Sequence, residues 1–134
     1  MNGSGLGPAD ASDVDIRVPA GPSHLASIRI VTSALAELAA FDPDTVADLT
    51  LAVDEACSIL IGRARPGAWL RCHFEVTRRV LHFHAEVSAS LSWLPKLSSL
   101  DWRVVGSLTD AVSTGVDTND LLHIQLRRRG LGAG

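Results

Sequence analysis

Three sets of side chains in this sequence have types and spacings suited to chemistry. The first is carboxylate. Asp44, Asp48 and Glu55 fall on one side of the stretch D-P-D-T-V-A-D-L-T-L-A-V-D-E-A-C-S-I-L-I-G-R, from Asp42 to Arg63. A solvated helix face accounts for such a row, but Ile59, one turn after Glu55, is an apolar residue among them. The second set is imidazole. His73, His82 and His84, with Glu75 and Glu86, share one face of two alternating segments. Histidine with carboxylate is metal-ligand chemistry, yet no motif fixes a geometry, so a solvated strand face without metal is expected. The third is thiol. Cys57 and Cys72 match no zinc or C-x-x-C spacing and read as buried small hydrophobes, a redox pair if the fold brings them together.

The elements that must position these groups follow from periodicity. Val14, Ile16 and Val18 alternate with Asp13, Asp15 and Arg17, predicting a strand over 14–20. Pro19 and Gly21-Pro22 stop it. Ser23 is the expected cap of a helix over 24–40, with Leu25, Ile28, Val31, Thr32, Leu35, Leu38 and Ala39 toward the core. Asp42 caps the next helix and Pro43 suits its first position; Val46, Leu49, Val53, Cys57, Leu60 and Ala64 form its core stripe. After the break at Arg65-Pro66-Gly67, residues 69–76 and 80–87 form a hairpin. Its buried face is Leu70, Cys72, Phe74, Val76, Leu81, Phe83, Ala85 and Val87. Ser88 to Leu100 reads as a loop, 101–112 as a third helix, Val112 to Val116 as a short strand, and Leu122, Ile124 and Leu126 as a closing strand. The order β-α-α-β-β-loop-α-β-β predicts a two-layer α/β sandwich, helices on a mixed, mostly antiparallel sheet.

At 134 residues the chain suits one domain, expected over 13–129, with disordered tails at 1–12 and 130–134. A net charge of −3 gives no reason to expect nucleic acid or a membrane surface, and Arg127 to Arg129 read as a solvated basic end. The start M-N-G-S-G-L-G-P-A-D lacks the basic and apolar regions of a secretory signal, and no apolar run approaches the ~20 residues that span a bilayer. The expected compartment is the cytoplasm.

The segment L-A-V-D-E-A-C-S-I-L-I resembles the N-box helix of the anti-sigma-factor serine kinases of the RsbW–SpoIIAB type, small Bergerat (GHKL), histidine-kinase-ATPase-like proteins that read roughly L-x-V-S-E-A-x-x-N-A-I there. L-T-D-A-V-S at Leu108 to Ser113 is similar to their L-x-D-x-V after the second glycine box, and Arg29 falls where they carry a partner-contacting arginine. The resemblance covers about Val14 to Leu126 and implies the Bergerat fold. It casts Glu55 as the family's general base, acting with ATP and Mg²⁺.

The nucleotide boxes depart from the family pattern. Ile59 stands where the Mg²⁺-holding Asn belongs. The first glycine box, D-x-G-x-G, aligns with Val87 to Ser92, where Ala89 and its neighbours supply neither Asp nor Gly. The second, G-x-G-L, aligns with Ser99, Leu100, Asp101 and Trp102. A Cβ at those glycine positions blocks close backbone approach to phosphate, and Asp101 would repel it. Losing the adenine hydrogen bond alone costs about 1–3 kcal/mol.

The resemblance therefore implies an anti-sigma factor that sequesters an alternative sigma factor and is released by an anti-anti-sigma (STAS) protein, with nucleotide binding weak or lost. Its expected contact surface is Arg29, Ile30 and Ser33, and a homodimer is expected. The alternative is an active serine kinase that phosphorylates the STAS partner. A redox-gated version of the first, through Cys57 and Cys72, is a third reading.

Overall fold

The computed structural model describes residues 11–89 and 100–130. Five strands form one sheet in the order β1-β2-β3-β5-β4: β1 (Ala11–Pro19), β2 (Trp69–Thr77), β3 (Val80–Ser88), β4 (Ala111–Val116) and β5 (Leu121–Arg129). All four pairings are antiparallel, so the mixed character expected of the sheet is absent among the described residues. Helices α1 (Leu25–Leu38), α2 (Pro43–Arg63) and α3 (Leu100–Ser107) complete the α/β sandwich. Helix α2 lies against β3 and β5 and is flanked by α1 and α3. The expected tails fall mostly on residues outside the described ones. Ala11 and Ser12, however, already belong to β1, and Gly130 is buried.

Helix α2 starts as its sequence predicts. Asp42 is the N-cap, its carboxylate accepting from the Thr45 amide at 3.3 Å and from the Thr45 hydroxyl, with Pro43 next. Those bonds, the hydroxyl's first, hold the Asp42 carboxyl below its usual value. Leu49, Ala52, Val53, Ala56, Cys57 and Leu60 are fully buried. The core they enter also takes Leu70, Phe74, Leu81, Phe83, Leu122 and Ile124 from one face of the sheet.

Helix α1 departs from expectation at both ends. Its entry is a 3-10 turn at Pro22–His24, and His24 rather than Ser23 holds the N-cap position, without a side-chain cap bond. At the other end Leu38, expected in the core, is 82% exposed. The reason is the chain reversal that follows. Ala40 adopts φ 61°, the Ala40 amide donates to Glu37 O at 3.0 Å, and the Phe41 amide donates to Ala36 O at 3.0 Å. This is a Schellman motif in which a left-handed residue ends the helix. It swings Phe41 into the core, the place a continued stripe would have given Leu38. Phe41 then meets Gly130, where a Cβ would overlap its ring; the Gly130 amide donates to Arg79 O at 2.6 Å.

The third helix is shorter than its periodicity predicts. It ends at Ser107, and residues 111 and 112 belong to β4, where Val112 pairs with Leu126 of β5. Strand pairing wins over the helical spacing of Leu108, Thr109 and Val112, so L-T-D-A-V-S runs through a turn into a strand. The β2–β3 hairpin turns on Arg78 and Arg79, with φ 49° and 66°, the left-handed pair a two-residue hairpin loop requires.

Candidate functional site

Two regions could carry function: the outward side of α1, and the end of α2 where the nucleotide boxes align. On α1, Ile30, Ala34 and Leu38 recur every four residues and all three are exposed, Ile30 at 68%. They form an apolar stripe ~12 Å long on one side of the helix. Beside it run Arg29, Ser33 and Glu37. Arg29 Nε donates to Asp54 Oδ1 of α2 at 2.7 Å, so the guanidinium is held in place while its side chain stays half exposed. Ser33 is half-buried, its hydroxyl turned back to the Ile30 carbonyl at 3.4 Å. The structure thus brings the expected contact residues Arg29, Ile30 and Ser33 onto one helix side. It adds Leu38, which sequence reasoning assigned to the core. Its signal was the four-residue spacing from Ile30 through Ala34, hidden by an equally good fit to the core stripe.

The box positions are closed instead. Ile59 is only 7% exposed and lies in the core cluster, which corrects its expected place on the polar side of α2. The physical reason is that α2 is covered by α1, α3 and the sheet together, so its apolar arc is wider than one stripe. Glu55, one turn earlier, is half-buried. Ala89 is fully buried and bridges to Ala64, tying the end of β3 to the end of α2. Both its backbone groups are engaged: its amide donates to Asp120 O at 3.2 Å and its carbonyl accepts from Arg65 Nε at 3.0 Å. Arg65 also pairs with Asp120 at 3.6 Å. Ser99 lies outside the described residues, as does the Asp101 side chain. Leu100, Asp101 and Trp102 have the backbone of the first turn of α3, and Trp102 packs against the core. A phosphate needs free amides, and Mg²⁺ needs an oxygen ligand. An isoleucine in the core at 59 supplies no oxygen, and Ala89 offers no free amide. These residues do not fit ATP and Mg²⁺.

Cys57 and Cys72 do meet, Sγ to Sγ at 3.9 Å, both buried between α2 and β2. Contact with Cys72, then burial, pushes the Cys57 thiol well above its usual value. The thiolate is the reactive form, so this shift makes Cys57 less reactive, and both cysteines pack in the core.

On the sheet face away from the helices, side chains are exposed or half-buried, as expected of a solvated face. His73 bonds two aspartates of β1, Nδ1 to Asp15 at 2.7 Å and Nε2 to Asp13 at 2.9 Å. The Asp15 bond raises its pKa. His84 stacks near His123, ring centroids 5.6 Å apart, and burial lowers the His84 pKa against the pull of Glu86. Among the described residues no helix is long and apolar enough to cross a membrane.

No family model matches the sequence. Among curated proteins, the anti-sigma-F factor RsbW of Mycobacterium tuberculosis, from strains CDC 1551 / Oshkosh and H37Rv, is 34% identical to this chain over 101 residues. The aligned region is 75% of this chain and 60% of those proteins, so the chain spans about three fifths of the length of the curated relatives it matches.

Proposed function

We propose that this chain, a homologue of the RsbW-type anti-sigma factors, is a binding module that holds an alternative sigma factor away from RNA polymerase. The observation that carries the reading is the exposed stripe Ile30–Ala34–Leu38 beside the fixed guanidinium of Arg29. Apolar side chains in a row, flanked by a preset cation, are what a partner helix or loop docks on. Release comes from a competing STAS-domain protein, and the working form is a homodimer. The nucleotide transfer that the family resemblance implies is weak or lost, because Ile59 and Ala89 leave neither a metal ligand nor a free amide.

Co-purification with each alternative sigma factor of the host tests this. A complex at micromolar concentration that a STAS protein displaces is the expected result. No complex with any of them overturns the reading.

The second reading, a serine kinase acting on the STAS protein, is favoured by one observation: Glu55 keeps part of its carboxyl side chain in solvent on α2. Transfer of labelled phosphate from ATP·Mg²⁺ to a STAS protein, lost in Glu55→Ala, would establish it.

A further inference from the structure

The strongest unassigned cluster lies on the open face of the sheet, away from the helices. Asp13, His73 and Glu75 each offer one ligand atom, and the three atoms lie within 4.8 Å of one another. We propose that these three residues bind a divalent transition-metal ion of the Zn²⁺ class, tying edge strand β1 to β2.

Backbone pairing sets the cluster. Asp13 is the direct partner of Glu75 and Asp15 that of His73 in the β1–β2 ladder, so the donors stand on two hydrogen-bonded strands rather than on loops. The separation is right. Ligand atoms about 2.0–2.2 Å from a common ion, at angles from octahedral to tetrahedral, lie roughly 2.9–3.5 Å apart. His73 Nε2 and Asp13 Oδ1 are 2.9 Å apart. Glu75 offers a carboxylate oxygen within 4.8 Å of the other two as the third ligand, and water completes the shell.

The imidazole is already oriented. Asp15 Oδ1 sits 2.7 Å from Nδ1, the outer carboxylate that metal-bound histidines commonly carry, so Nδ1 keeps its proton while the ion replaces the proton that Nε2 offers to Asp13. Charge points the same way. Asp13, Asp15 and Glu75 surround one imidazole, and among the described residues the ion pairs to Asp13 and Asp15 come from His73 alone. Arg17, the nearest cation along β1, is drawn aside over the Trp69 ring, 4.9 Å from its centroid. A dication balances the remaining negative charge. One nitrogen and two carboxylate oxygens suit Zn²⁺ or Co²⁺ better than the all-oxygen shell of Ca²⁺ or Mg²⁺. His84 and His82, the β3 partners of His73 and Glu75, border the site on its other side.

The test is titration of the full chain with Zn²⁺, followed by heat and by melting temperature, and with Co²⁺, followed by absorption. The expected result is a single saturable ion that raises the melting temperature. Binding is lost in His73→Ala and in the pair Asp13→Asn with Glu75→Gln, and falls about 10–100-fold in Asp15→Asn, whose carboxylate positions the ring without touching the ion. The Co²⁺ spectrum shows only weak ligand-field bands. No saturable binding to the natural chain overturns the proposal. So does binding that survives His73→Ala, or a thiolate charge-transfer band that places the ion at Cys57 and Cys72. All four substituted residues lie on the open face, so the unliganded variants should melt with the natural chain. Sigma-factor capture, which uses the other layer, is read separately.

Discussion

The outward side of α1 and the C-terminal end of α2 belong to one helical layer, yet they meet solvent in opposite ways. Along α1 the apolar residues Ile30, Ala34 and Leu38 stay uncovered, with Arg29 held ready by Asp54. At Ile59 and Ala89 the described groups are already engaged: an isoleucine in the core, a bridge to Ala64, both backbone groups of Ala89 bonded. The uncovered apolar surface thus lies on α1, and the engaged groups lie where the sequence aligns with the nucleotide boxes. Unsatisfied surface is where binding energy is still to be gained. The proposed reading, recognition of a protein over turnover of a nucleotide, rests on this contrast.

The sharpest way to break this contrast is at the stripe. Ile30→Glu with Leu38→Glu is expected to weaken sigma-factor capture by roughly 100-fold or more, the scale of two lost anchor residues. The melting temperature should hardly move, since both side chains are exposed. Capture unchanged in an isothermal titration would remove α1 from the interface.

At the filled end, Ile59→Asn tests whether the family ligand can be restored. We expect a loss of about 2–4 kcal/mol in chemical denaturation, because an amide replaces a buried apolar side chain without a partner in place. Millimolar ATP·Mg²⁺ should raise the melting temperature of neither form. An ATP-dependent rise in the variant would mean that the box region opens more readily than its packing implies.

The corner between the end of α1 and the start of α2 gives a smaller effect of opposite sign. Ala40→Gly should stabilise by about 0.5–1 kcal/mol, because φ 61° strains an alanine and suits a glycine. A destabilised variant would show that the corner is held by something other than the Schellman geometry.

The smallest effect is acid dependence at the start of α2. The folded Asp42 carboxyl titrates below its ordinary value, so its contribution is complete above about pH 4 and is lost as pH falls through the lowered value. Asp42→Asn should flatten the fall in stability below about pH 4 and leave the neutral range nearly unchanged. An unchanged acid limb in the variant would show that the cap carboxylate is not what titrates.

Much of this arrangement was legible in the sequence. The alternation of Leu70, Cys72, Phe74 and Val76 against Arg71, His73 and Glu75 fixes the two faces of β2, because a strand has no third choice. Asp42-Pro43 marks the start of α2 for equally local reasons. Leu38 and Ile59 were misplaced because helical spacing gives directions around an axis, not how many neighbours cover the helix. Their exposure was decided by the Phe41 reversal in one case and by the joint cover of α1, α3 and the sheet on α2 in the other. The same limit hid the cluster at His73. Asp13 and Asp15 are some sixty residues away along the chain, and only the β1–β2 register brings them to its ring.

The strand order also sets the sequence in which the sheet can assemble. Only β2–β3 and β4–β5 are joined by short turns. Strand β1 must wait for both long helices to be spanned, and β5 reaches β3 after a detour of roughly thirty residues, each closure carrying its own entropy. Assembly from the β2–β3 hairpin outward is the route of least loop cost. Changes in the Arg78–Arg79 turn should then alter the refolding rate, while loosening Gly130, which docks on Phe41 only after β5 is in place, should speed unfolding instead.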